Sequence, residues 1–181
     1  MKMFKANPIV LAFLAVLAVS GCANKSIYAE RESVLISAAY DAVDSLVKNQ
    51  TKTPLIAPGG KRVLVTTVVE LNNLEKSSAF GRLLAEQMAS RLAQIGISVS
   101  ELKLRGNLFV SPGQGELILS REIREISSNQ NADAVLVGTY TDAGDAVYVT
   151  VKLVRATDST VSSAYNFLVV KSQTYATLLE R

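Results

Sequence analysis

The chain has 181 residues, about half of them apolar, with 19 basic and 16 acidic side chains, no histidine, no tryptophan and one cysteine. Without histidine and with a single thiol it has no Ser-His-Asp or Cys-His means of activating a nucleophile, no His or Cys metal cage and no intrachain disulfide. Its few aromatic side chains also argue against a carbohydrate-stacking surface or a single-stranded nucleic-acid platform.

The chain opens with Lys2 and Lys5, then an apolar run from Pro8 to Val19, then Ser20, Gly21 and the sole cysteine, Cys22. Positive charge, a short apolar segment and small residues directly before a cysteine make a lipoprotein signal peptide over residues 1–21. The apolar run is about a dozen residues, whereas a spanning helix needs about 20, so an uncleaved anchor is the poorer account. An ordinary cleaved signal with a stray cysteine is the other competing reading. The mature chain is expected to begin at a multiply acylated Cys22, with palmitate among its chains. Ala23 is not the aspartate that retains such proteins in the inner membrane, so the expected home is the periplasmic face of the outer membrane. Several acyl chains, at about 0.8 kcal/mol per buried methylene, anchor a protein firmly. Loss of Lys2 and Lys5 leaves 17 basic against 16 acidic side chains, a balance near +1, so net charge points to no nucleic-acid partner. Covalent lipid is the only attached group expected; no cofactor and no metal are.

Ile27 to Lys48 reads as an amphipathic helix, with Val34, Leu35, Ala38, Ala39, Ala42, Val43, Leu46 and Val47 at helical spacing. Its apolar stripe is thin with alanine, which leaves three uses open: packing on the domain, pairing with a partner or sister helix, or lying on the membrane. Asn49 to Gly60, with Pro54, Pro58 and two adjacent glycines, breaks the helix and reads as a linker. Residues 22–60 are thus expected to form a lipidated terminus, helix and tether, and 61–181 the compact domain.

Arg62 to Leu71 is a β-branched run with little alternation, as in a buried central strand. Ser77 or Ser78 then caps a helix with Phe80, Leu83, Leu84, Met88, Leu92 and Ile95 on its apolar face, and Gly96 ends it. Ile97 to Leu104 makes a second strand, 106–115 a polar loop, and Glu116 to about Asn129 a second helix with Leu117, Ile118, Ile123 and Ile126 inward. Ala134 to Tyr140 is the third strand. The period then becomes two: Val147, Val149, Val151 and Leu153 alternate with polar residues, and so do Val161, Ser163, Tyr165, Phe167 and Val169 after a turn at Thr157-Asp158-Ser159. Lys171 to Arg181 reads as a short terminal helix. The fold class is therefore mixed α/β: a five-stranded mixed sheet, β-α-β-α-β followed by an antiparallel meander, in the order 2-1-3-4-5, with right-handed crossovers between the parallel strands.

Candidate sites are few. Gly113-Gln114-Gly115 lacks the spacing of a phosphate-cradling loop and reads as a connector. Lys103 and Arg105 stand at the end of the second strand, the edge where parallel sheets often build binding sites, and serve either solubility or an acidic partner. Arg121, Glu122, Arg124 and Glu125 give the second helix a charged face, either solvated or in contact with protein. Tyr140, Asp142 and Asp145 gather at a turn, where the ordinary Asx-turn role of aspartate is preferred to calcium binding. No catalytic pair can be assembled. Lys103, Arg105, Arg121 and Glu122 are the candidate partner-interface residues.

Three blocks, Ser78 to Gln87, Glu101 to Arg105 and Gly115 to Glu122, followed by Ala132 to Tyr140, resemble the FlgO family of flagellar outer-membrane lipoproteins. The resemblance spans roughly residues 60 to 170. It implies a non-enzymatic structural or assembly role in motility, with flagellar basal-body and ring proteins as partners at the outer membrane. Ring membership would imply many copies of the chain. The domain also resembles the α/β fold at the amino end of TolB and in lipoproteins that activate peptidoglycan synthases. The alternative it supplies is an envelope lipoprotein that binds and regulates such a synthase, since fold alone does not fix function.

Overall fold

The computed structural model describes residues 23–50, 54–60, 62–102 and 121–180, without the side chains of 23–33, 75–76 and 122. Residues 1–21, expected to be a signal peptide, and Cys22 therefore lie outside the described residues. The chain divides into two units, Met1–Val34 and Leu35–Arg181. Helix α1, Ala23–Lys48, crosses that division.

In the larger unit, β1 (Arg62–Thr66), β2 (Val69–Glu70), β3 (Asn73–Ser77), α2 (Ala79–Gln94), β4 (Val99–Leu102), α3 (Arg121–Asn129), β5 (Ala132–Asp142), β6 (Ala146–Arg155), β7 (Val161–Val170) and α4 (Gln173–Glu180) follow in order. β1 pairs in parallel with β4 on one side and with β5 on the other. β5, β6 and β7 form an antiparallel meander. The order β4-β1-β5-β6-β7 is the expected one. Beyond it, β2 pairs in parallel with β5 through Val69–Thr139 and Glu70–Tyr140, and β3 pairs antiparallel with β2.

The β-branched run from Arg62 to Leu71 is thus not one strand but two, interrupted at Thr67 and Val68, and the hairpin strand β3 was not foreseen. The interruption has a packing cause. Val68 is fully buried, its N–H donates to the Gly81 carbonyl at 3.3 Å, and a Cβ on Gly81 would lie 1.9 Å from the Val68 carbonyl oxygen. On the sheet side, a Cβ on Gly138 would meet the Val68 methyls at 3.0 and 3.1 Å. Val68 therefore swells out of the strand into a space that only two glycines leave open.

Ser78 caps α2, accepting from the Gly81 N–H at 3.1 Å. At the other end Gly96, at φ +81°, donates to Ala93, and the Ile97 N–H donates to Leu92 at 3.0 Å, a Schellman ending. Phe80, Gly81, Leu84, Ala85, Met88, Ala89 and Leu92 face inward. Leu83, expected there, is 39% exposed because the alanines and Gly81 take the close-approach side.

The sheet carries a core on each face. On one, Val63, Val65, Val68, Leu136, Val149, Val151 and Leu153 pack under α2, α4 and the Leu35–Lys48 part of α1. On the other, Leu64, Val69, Val135, Val137 and Val154 pack with Ile123 of α3. Of α1, Leu35, Ala39, Ala42, Val43 and Leu46 are at most 2% exposed, so its Leu35–Lys48 part packs on the domain. Ser163 donates to the Leu46 carbonyl at 2.8 Å, and Arg91 of α2 grips the Asp44 carboxylate with two bonds, 2.9 and 2.6 Å. The segment after the helix, expected as linker, also folds in: Leu55 and Ile56 are buried. The Gln50 amide holds this segment, donating to Val47 and Ile56 carbonyls and accepting from the Leu55 and Ile56 N–H groups. The compact unit thus reaches back to Leu35 instead of starting near Lys61.

The alternation in β6 places Val147, Val149, Val151 and Leu153 inward as expected. In β7 it holds from Ser163 to Val169 but not at Val161, which is 38% exposed. A register shift opposite Leu153 and Val154 inserts one residue and reverses the phase there.

Candidate functional site

Of the four residues proposed as a partner interface, Lys103 and Arg105 lie outside the described residues, as does the Gly113-Gln114-Gly115 loop, and the side chain of Glu122 does too. The strand before them, β4, ends at Leu102 on the carboxyl side of the parallel strands. Arg121 opens α3 with its side chain 89% exposed, and its Nε donates to Glu125 at 3.2 Å. Glu125 is itself 66% exposed, so this is a solvated i, i+4 pair of small energetic weight. The pair does not by itself build a site.

Asp142 and Asp145 share the turn between β5 and β6, while the Tyr140 side chain is buried in the core. Tyr140 is 3% exposed and packs edge-on against Phe80, 5.6 Å between ring centroids, with Tyr175 of α4 on the other side of Phe80 at 6.3 Å. Asp142 makes the Asx turn: one carboxylate oxygen accepts from the Gly144 N–H at 3.1 Å, and the other takes Lys171 Nζ at 2.6 Å. The Lys171 N–H in turn donates to the Asp145 carbonyl. The described residues hold no cluster of three or more His, Cys, Asp or Glu placed for a metal.

Lys171 foremost, with the Gly144 N–H, holds the Asp142 carboxyl below the ordinary carboxylate range, against a partial burial that acts the other way. The folded chain thus binds this proton less readily than the unfolded chain. Its contribution to stability is complete above the ordinary aspartate value of about 3.9 and is lost as pH falls through the lower folded value. Asp142→Asn should therefore be less stable than the wild type at neutral pH and lose less stability on acidification from about pH 5 to pH 2. Urea midpoints across that range check this; parallel curves for the two proteins would contradict it.

Two surface features were not foreseen. At the amino end of β1, Gly59, Gly60, Arg62, Ser98, Gln130 and Asn131 line an open depression of about 410 Å³. Its described lining offers hydrogen-bonding groups and one cation, Arg62. The second is on the sheet face away from α1, where Tyr148 is 56% exposed, Leu168 opposite it 53% and Val170 71%. The even positions of β7 carried this signal, since Leu168 and Val170 are apolar where alternation calls for polar residues.

The family model described as FlgO protein matches residues 40–174. No curated protein matches the chain. Among solved structures, the LpoB C-terminal domain from Salmonella enterica is 16% identical, with 74% of this chain and 98% of that one covered and a TM-score of 0.48. The LpoB C-terminal domain from Escherichia coli is 15% identical over the same shares, with a TM-score of 0.47. The PelC dodecamer from Paraburkholderia phytofirmans is 20% identical, with 67% and 80% covered and a TM-score of 0.43.

Proposed function

The chain belongs to the FlgO protein family, and from that premise we propose that it is an outer-membrane lipoprotein with a structural or assembly role in the flagellar basal body. Lipid on Cys22 anchors it, the folded unit faces the periplasm, and its work is contact with other ring components instead of turnover. The observation that carries the reading is the family match over residues 40–174, most of the folded unit. The sequence Leu17 to Cys22 supports the anchor independently, since small residues before a cysteine after a short apolar run are signal-peptide chemistry irrespective of family. Against an enzymatic role stand the absence of histidine in the whole chain and the lack of an assembled acid–base pair in the described depression. Lys103, Arg105, Arg121 and Glu122 are the proposed partner contacts.

Deletion of the gene should remove density from the outer-membrane ring of flagellar motors in electron cryotomograms and impair swimming, with the neighbouring ring proteins still expressed. Cys22→Ser should retain the precursor mass and leave the outer-membrane fraction. Intact motors with normal swimming in the deletion strain would sink the flagellar role and leave the peptidoglycan-synthase alternative. A Cys22→Ser protein that still fractionates with the outer membrane would sink the anchor.

A further inference from the structure

Among the described residues the sheet has three outer strands, β3, β4 and β7. An outer strand carries a row of backbone N–H and C=O groups that pair with any extended chain brought alongside, and folded proteins blunt such edges with short length, charge or proline. β4 has four residues with Glu101 among them, and β3 has five with Glu75 and Lys76. β7 has neither protection: Val161–Val170 is ten residues long, without charge, proline or glycine, and pairs only with β6 among the described residues. Its outward side chains Ala164, Asn166, Leu168 and Val170 are all exposed.

We propose that the β7 edge is a self-association surface, pairing antiparallel with β7 of a second copy across a two-fold axis perpendicular to the sheet. Charge selects this occupant. A two-fold axis sets each strand against its own sequence, so a charged position near the axis meets a like charge, a destabilising arrangement that β3 and β4 would incur and β7 does not. An uncharged strand also offers nothing that would select an acidic or basic peptide.

Continuity of the two sheets requires residues of the same face to oppose one another. With the axis at Asn166, the two Asn166 amides meet, and each Leu168 lies across from Ala164 of the other copy, a large side chain against a small one. The exposed Tyr148 and Leu168 then flank the seam, which lowers their contact with water. The inference goes beyond the flagellar reading and does not depend on it.

The test uses the full-length lipoprotein in its own envelope. Cys22 is the only cysteine, so the wild type is the blank and each introduced thiol is read alone. Asn166→Cys should give a disulfide-linked species of twice the monomer mass on a non-reducing gel, since directly opposed strand positions fall within disulfide reach. Glu101→Cys on the β4 edge should not. Adding Leu168→Lys to Asn166→Cys should lower the dimer fraction at least tenfold. As a check free of variants, wild-type protein in detergent should sediment as a dimer that dissociates on dilution. A wild-type monomer at all concentrations would overturn the proposal. So would an Asn166→Cys thiol that stays free and reactive, that links only to a different protein, or that dimerises no more than Glu101→Cys.

Discussion

Gly81→Ala should lower the unfolding free energy by about 3 kcal/mol, the upper end of the usual cost of overpacking a core. The added methyl would sit 1.9 Å from the Val68 carbonyl oxygen, and its other near neighbours are the Val68 carbonyl carbon and the Tyr140 ring. Backbone cannot rotate away as a side chain does. Relief requires α2 to lift from the sheet, which stretches the Val68 N–H bond to the Gly81 carbonyl and loosens the Ser78 cap on the Gly81 N–H. For a unit of this size the loss corresponds to a fall in Tm of about 6–12 °C. Gly144→Ala is the comparison: a Cβ there meets nothing within 4 Å, and only the left-handed φ of +86° opposes it, at about 1 kcal/mol. Thermal and urea unfolding of the two variants decide the matter. Equal, small shifts would show that Val68 and α2 rearrange freely.

A chain starting at Lys61, cut where the sequence alone places the domain boundary, should fail to fold cooperatively. It lacks Leu35, Val43, Leu46, Leu55 and Ile56, all buried, together with the close-packed Ala39 and Ala42. At about 1.5–3 kcal/mol for each large side chain the loss is on the order of 10 kcal/mol, comparable with the whole stability of a typical domain. The exposed core beneath, Val149, Val151 and Leu153 among it, would then face water. Broad urea transitions, dye binding and weak near-ultraviolet dichroism are expected for the truncated chain, and a sharp transition for a chain starting at Cys22. A truncated chain that unfolds sharply near the midpoint of the full one would show that the Leu35–Ile56 layer is an accessory.

The parts of the fold that were legible in the sequence rest on local signals. Period two in 147–153 marked β6, and Ser78 and Gly96 bracketed α2, because capping and alternation act over a few residues. The break at Val68 was hidden for the opposite reason. A run of valines and threonines looks uniform, and what interrupts it is the space left by Gly81 and Gly138, far off in sequence. The fate of α1 was undecidable from its alanine stripe, since such a stripe fits a core, a partner or a membrane; the uncovered face of β6 and β7 decided it. Gln50 gave no signal at all, because an amide that saturates four backbone groups looks like any linker glutamine until Leu55 and Ile56 are seen beneath it. Asp142 was rightly placed in an Asx turn, but its partner Lys171 comes from the far end of β7 and could not be read from spacing.

The bond from Ser163 to the Leu46 carbonyl joins positions 117 residues apart. Thr66, likewise, donates to a carbonyl 70 residues further on. Contacts of that separation form slowly, since a long loop must close before any of them is gained. A chain delivered amino end first, off a ribosome or through a membrane, presents Leu35 to Lys48 long before the strands that floor this helix exist. Until β7 emerges the seat of this helix is incomplete, because the bond to the Leu46 carbonyl comes from Ser163. Completion of the fold therefore waits on the last third of the chain.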